Sequence, residues 1–371
     1  MRGPAVRPIV IAAGGTGGHF FPAEALASEL VTRGHRIALM TDARSGALKS
    51  AVFDGREQFV LSGAGIAGRG VARSAKAIAA LASGVLQART VLGRLDAAAV
   101  VGFGGYPSVA PVLGARLVRR RPAIILHEQN AVLGRANRFL AARADRLAVS
   151  FAETARVPVH IRTAMIGNPV RPAIKALAKS SYLVPRDTVQ VLVLGGSLGA
   201  RVFSDVVPAA LGALPAELRQ RLVISQQCRP EDLERVKAAY RETGITAELA
   251  PFFPDVAARL LASHLVIARA GASTVAELAV AGRPSILVPL PGAIDDHQSA
   301  NARALAMGGG AWVMPQPSFT PEALGQRVME LMRNPTALTR AAVGARNLAQ
   351  PEAASKLADL VEELMRQEVR T

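Results

Sequence analysis

Short apolar runs rich in β-branched residues alternate along the chain with longer stretches rich in alanine and leucine. In the first half this pattern predicts a helix at residues 22–33 and strands at residues 8–13, 36–40, 97–101, 123–127 and 146–150. The pattern restarts after the centre, with strands predicted at residues 188–194, 222–225, 265–268 and 285–289. Such alternation is typical of parallel sheets with crossover helices, so we predict an α/β protein with two Rossmann-like domains.

A proline-rich segment separates the two halves. Residues 167–172 contain two prolines within four positions, and they make a plausible domain boundary. We therefore predict an N-terminal domain at residues 1–168 and a C-terminal domain at residues 169–349. The amphipathic stretch at residues 352–368 predicts a terminal helix, at about residues 350–371, that packs back on the N-terminal domain.

The composition indicates a globular protein, because half of the 371 residues are hydrophobic and 19% are charged. The single cysteine, Cys228, cannot form an internal disulfide, which fits a reducing compartment. The apolar run at residues 9–13 is too short for a signal-peptide core. Since no run of about 18 to 20 apolar residues occurs, we expect a soluble or peripheral protein.

The net charge of +16 is distributed unevenly. Residues 1–166 hold 22 Lys and Arg against 9 Asp and Glu, a net +13, and the remaining residues hold 22 against 19, a net +3. A bias of the genome towards arginine would raise the total charge but would not explain the asymmetry. The first half therefore predicts a surface that meets phosphates, nucleic acid or anionic lipid.

The first predicted strand runs into the glycine-rich turn at residues 14–18, which His19 follows directly. Glycines let the backbone approach a ligand closely, and a helix N-terminus beyond them favours an anion. The spacing differs from the usual dinucleotide fingerprint, so that interpretation is weak. His19 is either a side chain that faces a binding cleft or a capping and packing residue.

Further polar and glycine-rich segments follow other predicted strands. Residues 102–108 form a second glycine-rich turn, and residues 127–130 place four polar side chains after a third strand. Because carboxyl ends of parallel strands meet at one edge of a sheet, these segments converge on one crevice. In the second half, residues 195–199, 269–277 and 295–301 repeat this arrangement. Glu277 has an alternative interpretation, in which its carboxylate only complements the helix dipole.

Taken in order, these motifs resemble the MurG family of glycosyltransferases, which converts lipid I to lipid II. The resemblance rests on the segments GGTGGH, GFGGYPS, HEQN, GNPVR, GGSLGA, ARAGASTVAELAVAGRPSILVPLP and DDHQSANA, between Ile9 and about Asn301. It implies the GT-B architecture, in which two Rossmann-like domains with parallel sheets face each other across a cleft. The C-terminal domain would bind UDP-N-acetylglucosamine (UDP-GlcNAc), and the N-terminal domain would bind the lipid-linked acceptor.

The resemblance also implies the site residues. Those that would bind the donor are Thr16, Gly17, Gly18, Asn130, Arg171, Ser197, Phe253, Ala272, Ser273, Thr274, Val275, Ala276, Glu277 and Gln298. Those that would bind the acceptor are Gly14, Gly15, His19, Gly104, Gly105 and Tyr106. Among them, Glu277 is the expected ribose partner and Gln298 the expected partner of the sugar hydroxyls.

The implied reaction is an inverting transfer of GlcNAc to the C4 hydroxyl of the acceptor. It needs a general base, for which His19 is the candidate because an imidazole exchanges a proton near neutral pH. The sequence has no Asp-x-Asp signature of a metal-bound nucleotide, so we predict neither a metal nor a cofactor beyond the UDP-GlcNAc substrate. The implied partners are lipid I, the cytoplasmic face of an anionic inner membrane and other cell-wall synthesis proteins, with no nucleic acid.

Two positions depart from the family pattern. Leu198 replaces a common glutamine, and residues 225–228 replace a His-Gln-Thr-Gly segment, which puts the role of that loop in doubt. Three other readings remain: a galactosyl-diacylglycerol synthase, a UDP-GlcNAc 2-epimerase, and a nucleic-acid-binding protein supported by charge alone. The synthase would not share GFGGYPS and HEQN, and the epimerase would need further acid and base carboxylates, for which the N-terminal half offers no good candidates. A nucleic-acid-binding protein is disfavoured by the 4% aromatic content and the lack of a recognisable binding module.

A membrane surface is predicted at residues 70–94, which mix apolar side chains with Arg73, Lys76, Arg89 and Arg94. A second basic group comprises Arg116, Arg119, Arg120 and Arg121. The alternative is that Ile78, Leu81 and Val85 face the domain core and leave an ordinary solvated basic face.

Overall fold

The protein is described from a computed structural model. The structure describes residues 7–15, 17–42, 50–62, 71–196 and 199–368, without the side chains of residues 71–75 and 368. Two compact units divide the chain: unit 1 comprises Met1–Arg171 and Glu352–Thr371, and unit 2 comprises Pro172–Pro351. This division falls three residues after the boundary that we predicted.

Within its described residues, unit 1 contains a parallel sheet of seven strands in the order β3-β2-β1-β4-β5-β6-β7. The strands are β1 (Ile9–Ala12), β2 (Ile37–Asp42), β3 (Glu57–Leu61), β4 (Ala99–Gly102), β5 (Ala123–Glu128), β6 (Arg146–Val149) and β7 (Thr163–Met165). The helices are α1 (Gly17–Thr32), α2 (Val71–Leu95), α3 (Val109–Ala115), α4 (Arg135–Leu140) and α14 (Ala353–Glu368). Both faces of the central strands are buried, as in doubly wound folds: Ile9 and Ile11 belong to one core, and Val10 belongs to the other.

The terminal helix α14 packs against α1. Leu357 and Val361 of α14 are fully buried in the same core as Ile9. At the end of α1, the Arg33 guanidinium contacts the Asp359 carboxylate at 2.6 Å, and the His35 ring bonds the Glu362 carboxylate at 2.9 Å. This helix therefore belongs to unit 1, although 180 residues of unit 2 precede it.

Unit 2 contains, in the part that the structure describes, a parallel sheet of six strands in the order β10-β9-β8-β11-β12-β13. Its strands are β8 (Val189–Leu194), β9 (Leu222–Gln227), β10 (Thr246–Ala250), β11 (Leu265–Ala268), β12 (Ser285–Leu287) and β13 (Ala311–Val313). Its helices are α5 (Pro172–Lys175), α6 (Arg201–Gly212), α7 (Ala216–Arg219), α8 (Leu233–Glu242), α9 (Val256–Ala262), α10 (Ala272–Ala281), α11 (His297–Met307), α12 (Pro321–Arg333) and α13 (Pro335–Asn347).

The predicted α/β class and the two Rossmann-like units are confirmed. One helix boundary was wrong, because α1 begins at Gly17 and contains Pro22 in its interior. A proline inside a helix removes the bond to the residue four positions earlier, here Gly18, and its ring crowds that carbonyl. Both effects fall in the first turn of α1. The earlier start places His19 on the helix rather than in the loop before it.

Candidate active site

The first glycine-rich turn connects β1 to α1. Gly15 has a φ of 84°, which favours glycine, and a Cβ on Gly17 would lie 2.8 Å from the Phe21 ring. The N-terminus of α1 lies at this turn, and such a terminus favours an anion. Gly14, Gly15, Gly17 and Gly18 are thus placed at the carboxyl end of β1, whereas Thr16 lies outside the described residues.

The second turn follows β4, the direct neighbour of β1 in the sheet. Gly104 and Gly105 have φ values of 78° and 65°, so this turn requires glycine at both positions. Tyr106 begins a short 3-10 helix, and the buried Ser108 hydroxyl lies 3.1 Å from Ala12 O and 2.9 Å from Gly104 O. Ser108 thereby connects the second turn to the end of β1.

The polar segment after β5 is organised around the buried carboxylate of Glu128. Its Oε1 accepts hydrogen bonds from the backbone and side-chain nitrogens of Asn130, both at 3.0 Å. Its Oε2 accepts from Gly134 N and from Asn137 Nδ2, each at 2.9 Å. Glu128 therefore shapes this loop and holds the half-buried Asn130 in place.

His19 is connected to this segment through a buried glutamine. His19 Nδ1 lies 2.8 Å from Gln129 Oε1, and Gln129 Nε2 lies 3.1 Å from Phe103 O. His127 is fully buried beside Gln129, and desolvation lowers the pKa of its imidazole to about 4. The structure thus brings together His19, both glycine turns and the segment at residues 127–130.

In unit 2, the turn after β8 is equally tight. A Cβ on Gly195 would lie 2.5 Å from Ala200 N, so no other residue fits there, and Gly196 has a φ of 84°. Gln227, at the end of β9, accepts a hydrogen bond from Gly195 N at 3.1 Å and donates to Gly196 O at 2.9 Å. Ser197 and Leu198 lie outside the described residues, so the expected role of Ser197 stays a prediction.

Helix α10 follows β11 and begins directly after Gly271. Ala272, Val275 and Leu278 are buried, at a spacing of three residues that anchors one side of the helix. The remaining predicted residues are half-buried, and they are Ser273, Thr274, Ala276 and Glu277. Ser273 and Glu277 lie four positions apart and therefore share one face. This face starts at a helix N-terminus, where a diphosphate is favoured.

Three other predicted donor residues lie on loops or at helix ends. Gln298, in the first turn of α11, accepts a hydrogen bond from Leu290 N at 3.0 Å. Phe253 is buried beneath the Arg259 guanidinium, 3.9 Å from the ring centroid. Arg171 belongs to unit 1, and its guanidinium lies 5.1 Å from the centroid of the Phe21 ring.

The site residues implied by the resemblance leave out several residues that support these turns. They are His127, Gln129, Asn137 and Gln227, all of them buried. The run of four polar residues after β5 was a usable signal for the first two. Gln227 lies in the segment whose role the sequence had put in doubt, and its amide bonds show that this segment does hold the turn after β8.

The geometry can be compared with known proteins. The profile of the glycosyltransferase family 28 N-terminal domain matches residues 9–149, and that of the family 28 C-terminal domain matches residues 190–364. A curated relative from Granulibacter bethesdensis is 60% identical over 98% of this chain and 95% of its own length. Another from Acidiphilium cryptum is 54% identical over the full length of both chains. This chain belongs to the MurG family.

A solved structure agrees with this assignment to the MurG family. The crystal structure of Acinetobacter baumannii MurG has a TM-score of 0.78 and 31% identity, and the match covers 96% of this chain and 99% of that one. Both curated relatives are named UDP-N-acetylglucosamine–N-acetylmuramyl-(pentapeptide) pyrophosphoryl-undecaprenol N-acetylglucosamine transferase. Within the described residues, no helix is long and apolar enough to cross a membrane.

Proposed function

We propose that this chain transfers GlcNAc from UDP-GlcNAc to the C4 hydroxyl of N-acetylmuramic acid in undecaprenyl-pyrophosphoryl-MurNAc-pentapeptide (lipid I), which gives lipid II for peptidoglycan synthesis. The observation that carries this proposal is the near full-length identity of 54% to 60% with curated transferases of that name. The same identity disfavours the synthase, epimerase and nucleic-acid readings.

The reaction is a single inverting displacement. The acceptor C4 oxygen forms a bond to C1 of GlcNAc, the bond from C1 to the diphosphate oxygen breaks, and UDP leaves with the electron pair. His19 takes the proton of the C4 hydroxyl. The transition state has oxocarbenium character, as at other glycosidic centres.

We assign the donor to unit 2. The N-terminus of α10 stabilises the negative charge that develops on the diphosphate, and backbone amides of the turn after β8 add to it. Glu277 accepts hydrogen bonds from the ribose hydroxyls, and Gln298 contacts the GlcNAc ring. The Gln298 oxygen is already bonded to Leu290 N, so its amide nitrogen is the group that donates to a sugar hydroxyl.

We assign the acceptor to unit 1. The turns at Gly15 and at Gly104 and Gly105 lie at the ends of adjacent strands, and His19 lies beside them. A diphosphate of the lipid fits the N-terminus of α1 for the same electrostatic reason as the donor fits α10.

The decisive experiment combines purified protein with labelled UDP-GlcNAc and a synthetic lipid I analogue. One GlcNAc per acceptor and an equal amount of UDP are expected. Parallel reactions without acceptor, and with UDP-galactose and diacylglycerol, test the two rival enzymes. Epimerised UDP-sugar without transfer, or a galactolipid product, would contradict the proposal.

We also propose that helix α2 contacts the anionic cytoplasmic face of the inner membrane. Ile78 and Leu86 are exposed to 62% and 56%, and they lie two turns apart on one face of α2. Leu81 and Val85 instead pack partly against the core. The alternative, in which the apolar residues of this segment face the domain core, therefore holds for these two but not for Ile78. The basic residues Lys76, Arg89 and Arg94 are exposed along the same helix.

Co-sedimentation with anionic vesicles tests this surface. Each Lys or Arg near such a surface contributes about 1 kcal/mol, and salt screens the attraction. Binding should weaken as salt rises, and further when Arg73, Lys76, Arg89 and Arg94 are all changed to Gln. The side chain of Arg73 lies outside the described residues. A control with the same charge change uses four exposed residues of unit 2, namely Lys237, Arg303, Arg333 and Arg340. Equal losses of vesicle binding in the two variants would mean that the membrane surface lies elsewhere.

A further inference from the structure

A buried side-chain amide behind His19 has only one possible orientation. Gln129 is 1% exposed, and its Nε2 lies 3.1 Å from both Phe103 O and His127 O. Backbone carbonyl oxygens only accept hydrogen bonds, so the amide nitrogen must face them. The amide oxygen of Gln129 therefore faces His19 Nδ1, at 2.8 Å.

This orientation determines which nitrogen of His19 carries the proton. An amide oxygen only accepts, so His19 Nδ1 is the donor in this hydrogen bond. In a neutral imidazole the other nitrogen, Nε2, then holds the free lone pair. A Cβ built on Gly105 would lie 3.4 Å from His19 Nε2, so the basic nitrogen is next to the second glycine turn, where we place the acceptor.

A second histidine holds the glutamine. His127 Nε2 lies 2.9 Å from Gly167 O, which only accepts, so His127 is protonated at Nε2 and its Nδ1 accepts. That Nδ1 lies 3.0 Å from Gln129 Nε2, whose two N–H groups are shared among three acceptors: Phe103 O, His127 O and His127 Nδ1. Burial keeps His127 neutral near pH 7, because its pKa is lowered to about 4. A charged His127 would instead point an N–H group at the amide nitrogen and break the arrangement.

Among the described residues, two titratable groups interact electrostatically with the His127 ring. They are His19 and Glu128, whose carboxylate also accepts bonds from Asn130, Gly134 and Asn137. His19 Nδ1 itself bonds the neutral amide of Gln129. In the described part of the chain, an amide oxygen and not a carboxylate is therefore the acceptor that determines the proton position on His19.

We infer that Gln129, held by His127, is the positioning residue that keeps His19 protonated at Nδ1 and leaves Nε2 to accept the proton of the acceptor hydroxyl. This inference rests on the proposed function only for the identity of that hydroxyl. A histidine held in the wrong tautomer presents a proton instead of a lone pair and cannot act as the base.

The tautomer itself can be measured without any activity. The chain has six histidines, and long-range ¹H–¹⁵N spectra of ¹⁵N-histidine-labelled protein report the protonation of each ring nitrogen. The His19→Ala spectrum assigns the His19 signals. Above the range in which imidazoles are charged, we expect His19 protonated at Nδ1 and His127 protonated at Nε2. A His19 ring protonated at Nε2 would overturn the inference, whether or not the protein transfers GlcNAc.

Two substitutions test the consequence for catalysis. In Gln129→Met the hydrogen-bond acceptor for His19 is lost, so we expect kcat to fall by about 10- to 100-fold with an unchanged KM for UDP-GlcNAc. The acid limb, which is the fall of kcat/KM at low pH, should be displaced to lower pH. In Gln129→Glu a carboxylate stabilises the charged imidazole, so the acid limb moves to higher pH. A purely structural role would not move this limb in opposite directions.

A matched control is Gln226→Met, which also removes a buried amide. Gln226 is fully buried in β9 and accepts a hydrogen bond from the Tyr240 hydroxyl at 2.6 Å. This control should lose stability but retain the wild-type acid limb. Hydrogen exchange of peptides from unit 1 identifies variants of Gln129 in which this unit remains folded. An acid limb at the wild-type pH in both Gln129 variants, in protein whose unit 1 keeps its wild-type protection, would overturn the inference. Failure of the wild type to use lipid I would contradict the proposed function alone.

Discussion

The two units hold their glycine turns in similar ways, but the glutamines that hold them have different hydrogen-bond partners. In each, a buried strand runs into a tight glycine turn, and a buried glutamine on a neighbouring strand or its following loop holds that region. In unit 1, Gln129 bonds the side chain of His19 as well as the backbone. In unit 2, the partners of Gln227 among the described residues are backbone groups, namely Gly195 N, Gly196 O and Pro251 O.

We propose that this difference separates the chemical tasks of the two turns. A glutamine that faces a titratable ring controls where a proton resides, which suits a turn beside the proposed acceptor hydroxyl. A glutamine that bonds backbone groups controls the shape of a turn and the direction of its amides, which suits the proposed donor diphosphate, an anion that does not exchange protons. Substitutions should therefore change turnover and its pH dependence in unit 1, and donor affinity in unit 2.

The largest effect is expected from His19→Ala. Loss of a general base should lower kcat by about 10² to 10⁴, while UDP affinity stays close to wild type. His35→Ala is the matched control, because His35 follows the far end of α1 and bonds Glu362. Steady-state kinetics and calorimetry measure the two quantities. Wild-type turnover in His19→Ala would make His19 a structural residue.

Acid should destabilise unit 1 through His127. Its pKa is about 4 in the folded protein against an ordinary 6.5, so the unfolded chain binds more protons between these values. Stability is therefore fully present above pH 6.5 and declines as the pH falls to about 4, by about 3 kcal/mol in total. Hydrogen exchange of peptides from unit 1 measures this, whereas the single tryptophan, Trp312, reports on unit 2. His127→Gln should flatten the pH dependence of unit 1, and an unchanged slope would contradict the assignment.

Glu277→Ala should weaken UDP binding, because a carboxylate that holds ribose hydroxyls contributes roughly 1.5 to 3 kcal/mol. This corresponds to a dissociation constant raised about 10- to 150-fold. Glu277→Gln keeps the shape and should lose less. Calorimetric titration with UDP decides the matter, and an unchanged affinity in Glu277→Ala would remove this residue from the site.

The smallest effect is expected from Gln227→Met. The turn after β8 would lose its side-chain contacts, and a loss of about 1 kcal/mol of donor binding would raise the KM for UDP-GlcNAc about fivefold. The acid limb of kcat/KM should stay in place, in contrast to the Gln129 variants. Gln226→Met is again the control. A displaced acid limb in Gln227→Met would contradict the claim that the two glutamines have different roles.

The strands that the sequence predicted and those that it missed differ in their place in the sheets. All nine predicted strands are present, and the four missed ones, β3, β7, β10 and β13, are the edges of the two described sheets. Central parallel strands are buried on both faces and read as continuous apolar runs, whereas an edge strand mixes polar and apolar residues. The burial of β3 alternates accordingly, with Gln58 and Val60 exposed. Hydrophobic pattern alone does not distinguish such a strand from a loop.

The fold class, the glycine turns and the family could be predicted from the sequence alone, because backbone geometry and continuous apolar runs are local properties of the chain. The contact of Gln129 with His19 and that of Gln227 with the turn after β8 follow only from the packing of the folded chain. These bonds join residues 110 positions apart in unit 1 and about 30 apart in unit 2. A side-chain amide is equally polar in a solvated loop and in a buried network, and only the packing of neighbouring strands determines which groups it meets.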